Sequence, residues 1–514
     1  MQWLLVAGVL GVFVMQGVDF INFSLDDVFI SLRYAVNASQ GEGLVYNAGE
    51  YVEGYSNFLW VMLLAAAALL VKTAPSFELL WIAKALSAFF ALFTLLIQYR
   101  FASMLLPRDS EGRMFALVAV LLTAASASFV AWAVGGLETM LYSMLLLLGV
   151  MYAHSTLERA HTHASCTREA AFTGLFFALA ALTRPEAPLY AGVVAAVMLM
   201  LLPSHRRIGA ALAGVVPFIL VMGVFLLWRW QTYGDIVPNT YYAKTYGGGF
   251  RWLLGMKYWL GAVGSLFAYM LPVLPLAWLS DATRRRTLAI VVALLAANAF
   301  FVIYSGGDWM PGNRFLVPLL PLVAILAALG LHSAWSVLRN AGLGTRGWTY
   351  SFVAVLLFAV FTMQFAGRES LRASAGTLQT GWKSITAHCL PYKADAALWI
   401  RDNLPPDAVI ATGEAGIIGY LNPGIRLIDL NGLMHRDIAR MKYNDIPLDI
   451  EYLLNVSPDA VVLLQPEAAV ISGIVNKWSP LTNARFRDAY TLRAKFGDML
   501  LFVPADSNTP SSSK

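Results

Sequence analysis

The sequence predicts a polytopic α-helical membrane protein of about eleven transmembrane helices with a C-terminal α/β domain. Of its 514 residues, 58% are apolar and only 13% are charged, about half of the roughly 25% that soluble domains carry. The mean hydropathy is +0.63. A chain of this composition lacks the polar surface that a soluble protein of its length needs, so most of it must lie in lipid.

The apolar segments define the predicted spans. A helix needs about 20 apolar residues to cross roughly 30 Å of hydrocarbon. The run from Trp3 to about Phe23 lacks a basic leader and a cleavage site, which favours an uncleaved first span. The later spans are predicted at 78–105, 114–133, 137–154, 168–183, 187–202, 208–229, 258–280, 287–304, 315–338 and 348–366. Segment 58–72 reaches only about 22 Å as a helix, so we expect it to lie in the outer leaflet.

The basic residues set the predicted orientation. The net charge is +5, but Lys and Arg are scattered in short loops and form no stripe of the kind that binds nucleic acid. Arginines concentrate in every second loop, at Arg108, Arg113, Arg206, Arg207, Arg284, Arg285, Arg286, Arg339 and Arg346. This alternation predicts a cytoplasmic N-terminus and a C-terminal domain outside the cytoplasm, which the family resemblance described below places at a bacterial inner membrane, with that domain in the periplasm. Cys166 and Cys389 then lie on opposite sides, and we expect no disulfide.

The C-terminal part differs in pattern from the rest. Apolar runs shrink to strand length at Ala408–Ala411, Arg426–Leu430, Ala460–Leu464 and Met499–Val503, with helical patterns at Ala394–Asn403 and Leu448–Leu454. Strands that alternate with helices indicate a small α/β domain. We therefore expect a membrane domain over 1–366, an α/β domain over 367–505 and a disordered Ser/Pro/Asn-rich tail over 506–514.

The first outer loop carries two adjacent carboxylates, Asp26 and Asp27. An ionised carboxylate at the mouth of a span can act as a general base. The alternative is helix capping, since Ser24 and Asp27 have the spacing of a capping box and acids suit a first helical turn. Capping fits Asp27 better than Asp26, so Asp26 is the favoured base. On a helix Asp26 shares a face with Arg33, and the two could touch.

Further polar side chains in the outer loops each have a structural and a functional interpretation. Arg184 and Glu186 either form a salt-bridged turn, or Arg184 holds a phosphate, which a planar guanidinium suits. Lys244 is either an interfacial lysine or a phosphate-binding cation. Asp308 and Arg314 either pair with each other or divide between sugar and phosphate.

Three more polar residues are candidates for the same outer face. Glu53 and Asn57 precede the short outer-leaflet segment and could face a site, whereas Trp60 beside them is an interfacial anchor. Glu138, in a tight glycine turn, is either solvated or directed inward. Each signal is weak alone, but together they favour one reactive face, since polar residues near membrane depth usually have a function.

The sequence lacks the motifs of several common classes of soluble enzyme. The sequence contains no P-loop, no dinucleotide-binding glycine fingerprint, no HExxH and no CxxC. Its seven histidines show no metal-ligand spacing. We expect no cofactor, no obligatory metal and no nucleic-acid partner.

Taken in order, these segments resemble the GT-C glycosyltransferases, multi-span enzymes that use a polyprenyl-phosphate sugar on the outer face of the membrane. The resemblance runs through Asp26–Ala35, Glu53–Asn57, Gly136–Thr139, Thr183–Glu186, Pro238–Lys244, Gly306–Met310 and Asp429–Leu433. Within that group the sequence is most similar to the arabinofuranosyltransferases that build cell-wall arabinan or modify pilin.

The resemblance implies a glycosyltransferase with a GT-C fold and assigns its site residues. The base is Asp26 or Asp27; the group often has an Asp-Glu pair here, and the Asp-Asp of this chain leaves the two open. The donor phosphate is held among Arg184, Lys244 and Arg314. Sugar and acceptor contacts are expected from Arg33, Glu53, Asn57, Glu138, Glu186, Asn239, Tyr241, Asp308 and Trp309. From position alone, the C-terminal domain is expected to recognise the acceptor through Asp429 and His435.

The resemblance also implies the substrates. The donor is a polyprenyl-phosphate sugar, with decaprenyl-phosphate arabinose the leading expectation, and the acceptor is a pilin protein or an envelope glycan. A transporter or flippase of a lipid-linked sugar is the main alternative, but it should carry polar residues on both faces. A catalytically inactive scaffold is a further alternative.

Overall fold

The computed structural model describes residues 2–71, 77–162, 164–245, 251–342, 392–444, 450–465 and 483–506. The predicted span 348–366, Cys389, the domain boundary at 366/367 and tail residues 507–514 lie outside the described residues. Cys166 is a buried free thiol.

Helices dominate the first 342 residues. They are Gln2–Asp19 (α1), Asp26–Ser39 (α2), Phe58–Val71 (α3), Phe77–Leu105 (α4), Ser110–Ala124 (α5), Ala127–Ala133 (α6), Thr139–His161 (α7), Thr167–Thr183 (α8), Ala187–Leu201 (α9), Ser204–Tyr233 (α10), Asn239–Lys244 (α11), Arg251–Phe267 (α12), Ala282–Ser305 (α13) and Leu320–Asn340 (α14), with 3₁₀ turns at Leu274–Leu279 and Val317–Leu319. These helices follow the predicted spans closely in position.

Five helices of the described chain are long and apolar enough to cross a membrane, and six if one bent pair counts as a span. The five are Phe77–Leu105, Thr139–His161, Ser204–Tyr233, Ala282–Ser305 and Val317–Asn340, and the bent pair is α5 with α6. The chain is thus a mostly helical membrane protein, while the predicted number of eleven spans is not confirmed. Segment 58–72 forms a short apolar helix of 14 residues.

Several of the predicted spans are broken or short in the structure. Predicted span 114–133 is bent by 70° between α5 and α6. Predicted span 258–280 falls on an α-helix that ends at Phe267 and on a separate 3₁₀ turn at Leu274–Leu279. The helices α8 and α9 form at the predicted places but are only 17 and 15 residues long.

The C-terminal region holds one five-stranded sheet. Its elements are Lys393–Asn403 (α15), Val409–Thr412 (β1), Ala415–Leu421 (α16), Arg426–Asp429 (β2), Arg436–Tyr443 (α17), Ile450–Val456 (α18), Ala460–Leu464 (β3), Ala484–Ala489 (α19), Tyr490–Phe496 (β4) and Met499–Pro504 (β5). The strand order is β2-β1-β3-β5-β4. The first three strands are parallel, and β5 and β4 are antiparallel to their neighbours.

All four predicted strands are present within about one residue of their expected bounds. The additional strand, β4, contains Arg493 and Lys495 and is largely exposed at the sheet edge. An edge strand needs no apolar run, because only one of its faces is buried. The core beneath the sheet includes Ala411, Ile428, Val461, Phe486 and Phe502.

The chain forms two compact units. One comprises Met1–Ile21, Lys84–Phe225 and Phe250–Ala375; the other comprises Asn22–Ala83, Leu226–Gly249 and Gly376–Lys514. In the first unit α8 approaches α10 at Gly174, where a Cβ atom would lie 1.8 Å from the carbonyl oxygen of Gly214. Small residues at such crossings allow close helix packing in membranes.

The second unit, which we call the outer-loop unit, joins the predicted first outer loop to the C-terminal sheet. At the free edge of β2, the Asn47 side chain accepts from the amide of Leu427 at 3.0 Å and donates to its carbonyl at 2.9 Å. Asn47 is buried. The loop therefore provides hydrogen-bond partners for the backbone amide and carbonyl of Leu427, as a neighbouring strand would.

Candidate active site

The acidic pair Asp26–Asp27 begins α2. The N-cap position is Leu25, in extended conformation and without a side-chain capping bond. The capping box predicted as the alternative for Ser24 and Asp27 is therefore not formed at this helix start. Both carboxylates lie in the first turn, where the helix dipole favours negative charge.

Asp26 is buried against the C-terminal region. Its two carboxylate oxygens accept hydrogen bonds from the backbone amides of Gly416, at 3.0 Å, and Ile417, at 2.9 Å. Glycine at 416 is required, because a Cβ atom there would lie 2.2 Å from the Asp26 carbonyl oxygen. The Lys393 Nζ lies 3.7 Å from Asp26 Oδ2. Both oxygens of Asp26 are thus engaged within the chain.

Asp27, in contrast, is only half-buried. A buried acid of the C-terminal region, Glu414, forms an ion pair with Lys393. Burial raises the pKa of Glu414 although Lys393 opposes the shift, and the charges of Asp26 and Asp27 raise it further. The acidic pair is therefore part of a cluster of three carboxylates and one lysine, in which Asp27 is the member that reaches the surface.

Arg33 does not contact Asp26 in the described structure. It donates instead to the carbonyl oxygens of Tyr46, Gly419 and Ile425, at 2.7, 2.6 and 2.9 Å. The guanidinium is buried and lies 4.3 Å from the centre of the Tyr46 ring. Its donors tie α2 to the C-terminal region.

Glu53 is buried and pairs with Arg229, whose Nε lies 2.8 Å from Glu53 Oε2. Burial raises the pKa of Glu53 to about 7 although Arg229 opposes the shift. The Glu53 carbonyl accepts from the amide of Asn239 at 3.0 Å. Glu53 is thus a group that titrates near neutral pH inside the outer-loop unit.

Three predicted sugar contacts are used within the chain. The Asn57 amide donates to Ser31 at 3.1 Å. The Asn239 amide donates to the carbonyls of Gly432 and Leu433, at 2.8 and 2.9 Å. Asp429 is buried and accepts from the amides of Asn431 and Met434, at 2.8 and 3.0 Å. The bonds of Asn239 and Asp429 hold the loop after β2, and any contact of the three residues with a sugar stays a prediction.

In the other unit, two predicted phosphate-binding arginines are paired with acids. Arg184 is buried and donates to Glu138 at 2.9 Å and to Glu186 at 2.6 Å. Arg314 donates to Asp308 at 2.9 Å. Both arginines therefore form ion pairs in the structure, and any contact of either with a phosphate stays a prediction. Two carboxylates around Arg184 leave no surplus positive charge for a phosphate.

Three other candidates are exposed. Lys244 ends α11 and is open to solvent. Tyr241, 41% exposed, packs its ring against Tyr242 and Tyr443. Trp309 is 49% exposed in the loop after α13. Of the three predicted phosphate binders, Lys244 alone is exposed and outside the ion pairs described above.

His435 lines a cavity of about 520 Å³ in the outer-loop unit. Its Nε2 lies 2.9 Å from the Tyr452 hydroxyl. Burial lowers the pKa of His435 although neighbouring carboxylates oppose the shift. The imidazole is therefore neutral at physiological pH. Among the described residues no group of three His, Cys, Asp or Glu side chains has the geometry of a metal site.

Several partners in these networks were not identified from the sequence. They are Lys393, Glu414, Arg229 and Tyr46. Glu414 is the second residue after β1, and polar residues at the carboxyl end of a parallel strand are candidates for a site. No sequence pattern marks Lys393 or Arg229 as a candidate in the same way.

Comparison with known proteins identifies relatives of this chain. A family described as "Domain of unknown function (DUF8728)" matches residues 383–510. A terminal beta-(1->2)-arabinofuranosyltransferase of Corynebacterium glutamicum is 27% identical over 367 residues, which cover 65% of this chain and 51% of the relative. Its counterpart in Mycobacterium tuberculosis is 26% identical over 373 residues, which cover 63% and 57%. The chain thus spans about half the length of the curated relatives it matches.

Solved structures show the fold. ArnT from Cupriavidus metallidurans, bound to undecaprenyl phosphate, matches with a TM-score of 0.61 at 15% identity over 98% of both chains. The oligosaccharyltransferase AglB from Archaeoglobus fulgidus, in complex with an inhibitory peptide and a dolichol-phosphate, matches with a TM-score of 0.56 at 13% identity, over 97% of this chain and 74% of AglB. Both are GT-C glycosyltransferases. The resemblance drawn from the sequence is therefore confirmed: the chain has a GT-C fold and is a relative of the terminal arabinofuranosyltransferases.

Proposed function

We propose that this chain is a membrane glycosyltransferase that transfers D-arabinofuranose from a polyprenyl-phosphate donor to an acceptor outside the cytoplasm. The observation that carries the proposal is the similarity over 367 residues to an enzyme named for arabinofuranosyl transfer. The alternating arginine-rich loops support an inner-membrane protein with a cytoplasmic N-terminus and a periplasmic C-terminal region. A nucleotide sugar is absent from that compartment, so activation has to come with the lipid.

The half-buried Asp27 is our candidate for the general base. When the bond between the sugar C1 and the phosphate oxygen breaks, the acceptor oxygen bonds to C1 and its proton passes to a carboxylate. The polyprenyl phosphate leaves with one additional negative charge. Asp27 reaches the surface, whereas both oxygens of Asp26 already accept backbone amides. Asp26 then positions the turn that carries Asp27.

Lys244 is our candidate for the cation that stabilises the leaving phosphate. Positive charge near a leaving phosphate stabilises the charge that develops in the transition state. Arg184 and Arg314 are each paired with carboxylates, and Lys244 is exposed at the end of α11. We expect a monophosphate donor to need no metal ion, because only one new negative charge appears.

The names of the relatives favour a glycan acceptor. Both are described as terminal beta-(1->2)-arabinofuranosyltransferases, which supports a β-(1→2) linkage to an arabinofuranosyl end as the product of this chain. A pilin protein is the competing acceptor.

The test is transfer by the purified full chain in nanodiscs. Synthetic decaprenyl-phosphoryl-arabinofuranose serves as donor and an arabinofuranosyl oligosaccharide as acceptor, and mass spectrometry detects a product heavier by one pentose. We expect turnover in the wild type, loss in Asp27→Asn and full turnover in the matched control Asp402→Asn, an exposed acid paired with its neighbour. Undiminished transfer by both Asp26→Asn and Asp27→Asn would exclude this acidic pair as the base.

A further inference from the structure

The cavity of about 520 Å³ in the outer-loop unit is not explained by the catalytic candidates. Its wall comes from the loop before α3, the end of α10 and the segment after β2. Its volume falls within the roughly 300–1,000 Å³ of small-ligand sites. The side chains at its mouth include Tyr51, Arg436 and Asp437, all exposed.

The charges that line the cavity balance one another. Two acids, Glu50 and Asp437, accompany two bases, Arg426 and Arg436. The Arg426 Nε lies 2.6 Å from Glu50 Oε1, and His435 is neutral. A cavity without surplus charge does not select a phosphate or a cation, but its donors and acceptors can bind the hydroxyl groups of a neutral polyol.

An aromatic ring and a fixed backbone complete the site. Tyr51 is 50% exposed, and an aromatic ring that joins an apolar face to a polar hydroxyl can stack on the C–H face of a sugar ring. Arg436 donates to the carbonyls of Tyr51, at 3.2 Å, and Tyr233, at 2.7 Å. These bonds join two parts of the wall, so the cavity is largely formed before a ligand binds.

A peptide occupant is disfavoured by the nearby sheet edge. Extended peptides usually bind by adding a strand to a free edge. At the edge strand β2, which begins at Arg426, the Asn47 side chain already occupies both backbone groups of Leu427. Arg33 also donates to the carbonyl of Ile425. Added pairing along this edge is therefore blocked.

We infer that this cavity binds the neutral arabinofuranosyl end of the acceptor glycan, with Tyr51 stacking on a sugar ring and Asp437 accepting from its hydroxyls. This inference rests on the proposed function and adds the place where the acceptor binds and the residues that bind it. The sequence pointed to His435 for acceptor recognition from position alone; here His435 is one neutral wall residue of a larger site.

Binding is tested on the full chain carrying Asp27→Asn, so that the acceptor is not consumed. The probe is a synthetic arabinofuranosyl tetrasaccharide, measured by isothermal titration calorimetry. We expect Tyr51→Ala and Asp437→Asn each to weaken binding about tenfold or more, Tyr51→Trp to retain it and Asp402→Asn to leave it unchanged. Equal affinity in Tyr51→Ala, Asp437→Asn and the parent would overturn the inference.

Two further outcomes separate this inference from the proposed function. Binding that depends on Tyr51, in a protein whose wild type transfers no sugar, supports the cavity and contradicts the transferase. Transfer to the tetrasaccharide with a KM that Tyr51→Ala leaves unchanged contradicts the cavity and supports the transferase. A Ser/Thr-containing peptide that binds where the tetrasaccharide does not would also overturn the inference.

Discussion

At the scale of single residues, Asp26 and Asp27 differ in their surroundings although they share one turn of helix. From the sequence, Asp26 was the favoured base because capping suited Asp27. The structure favours Asp27 instead. No capping box forms, Asp26 is buried against two backbone amides and Asp27 is half-buried. Sequence spacing could not show this, because the partners of Asp26 lie about 390 positions away.

The two acids should therefore respond differently to substitution. We expect Asp27→Asn to lower kcat by about 100-fold or more, the usual contribution of a positioned base, with a melting temperature that falls less than that of Asp26→Asn. Asp26→Asn should instead destabilise the protein by about 1–3 kcal/mol, because its amide group faces a backbone amide donor. Thermal unfolding of the purified variants beside the transfer assay checks both. A stable Asp26→Asn without turnover, next to an active Asp27→Asn, would return the base to Asp26.

Glu53 predicts a pH dependence of stability. Its pKa in the folded protein is about 7, above the roughly 4.3 of an unfolded chain, so the folded state holds the proton more tightly. The stabilisation is fully present below about pH 4.3 and is lost as the pH rises through 7. We expect the wild-type melting temperature to fall between pH 5 and pH 8, and Glu53→Gln to show a smaller fall. Parallel pH profiles would contradict the assignment to Glu53.

At the scale of elements, the sequence predicted the helices and strands whose positions follow from a local pattern of apolar residues. Apolar runs placed the strands β1, β2, β3 and β5 within about one residue, because buried strands read as continuous apolar segments. The edge strand β4 carries charges and was not predicted. The bend between α5 and α6 was also missed, since Ala125 and Ser126 are not the proline or glycine that usually signals a break.

The contact between α2 and α16 gives an element-scale prediction. A methyl group at position 416 would lie 2.2 Å from the Asp26 carbonyl oxygen, so α16 would have to move away from α2. We expect Gly416→Ala to lower both the melting temperature and the turnover. Gly192→Ala in α9, where a Cβ atom meets nothing within 4 Å, is the matched control and should be neutral or slightly stabilising. Equal behaviour of the two variants would show that this packing is not needed.

At the scale of the whole molecule, the outer-loop unit is assembled from three segments that are far apart in sequence. The sequence treated the C-terminal region as a domain for acceptor recognition. In the structure it also supplies the partners of the acidic pair, namely Lys393, Glu414 and the amides of Gly416 and Ile417. Periodicity and composition report local structure and cannot reveal which distant segments share a hydrogen bond. If the acidic pair holds the base, as we propose, the C-terminal region bears on the chemistry as well as on the acceptor.

Substitutions in the ion pair between Lys393 and Glu414 would test whether the C-terminal region supports the acidic pair as well as the acceptor. Removing one partner of a buried pair leaves an uncompensated charge and costs about 3–5 kcal/mol, whereas removing both costs far less. We expect Lys393→Met to lower the melting temperature and the hydrolysis of the donor by water, a reaction that needs no acceptor. The double variant Lys393→Met/Glu414→Gln should recover most of both. If donor hydrolysis stays at the wild-type rate in Lys393→Met and only transfer to the acceptor falls, the C-terminal region serves the acceptor alone.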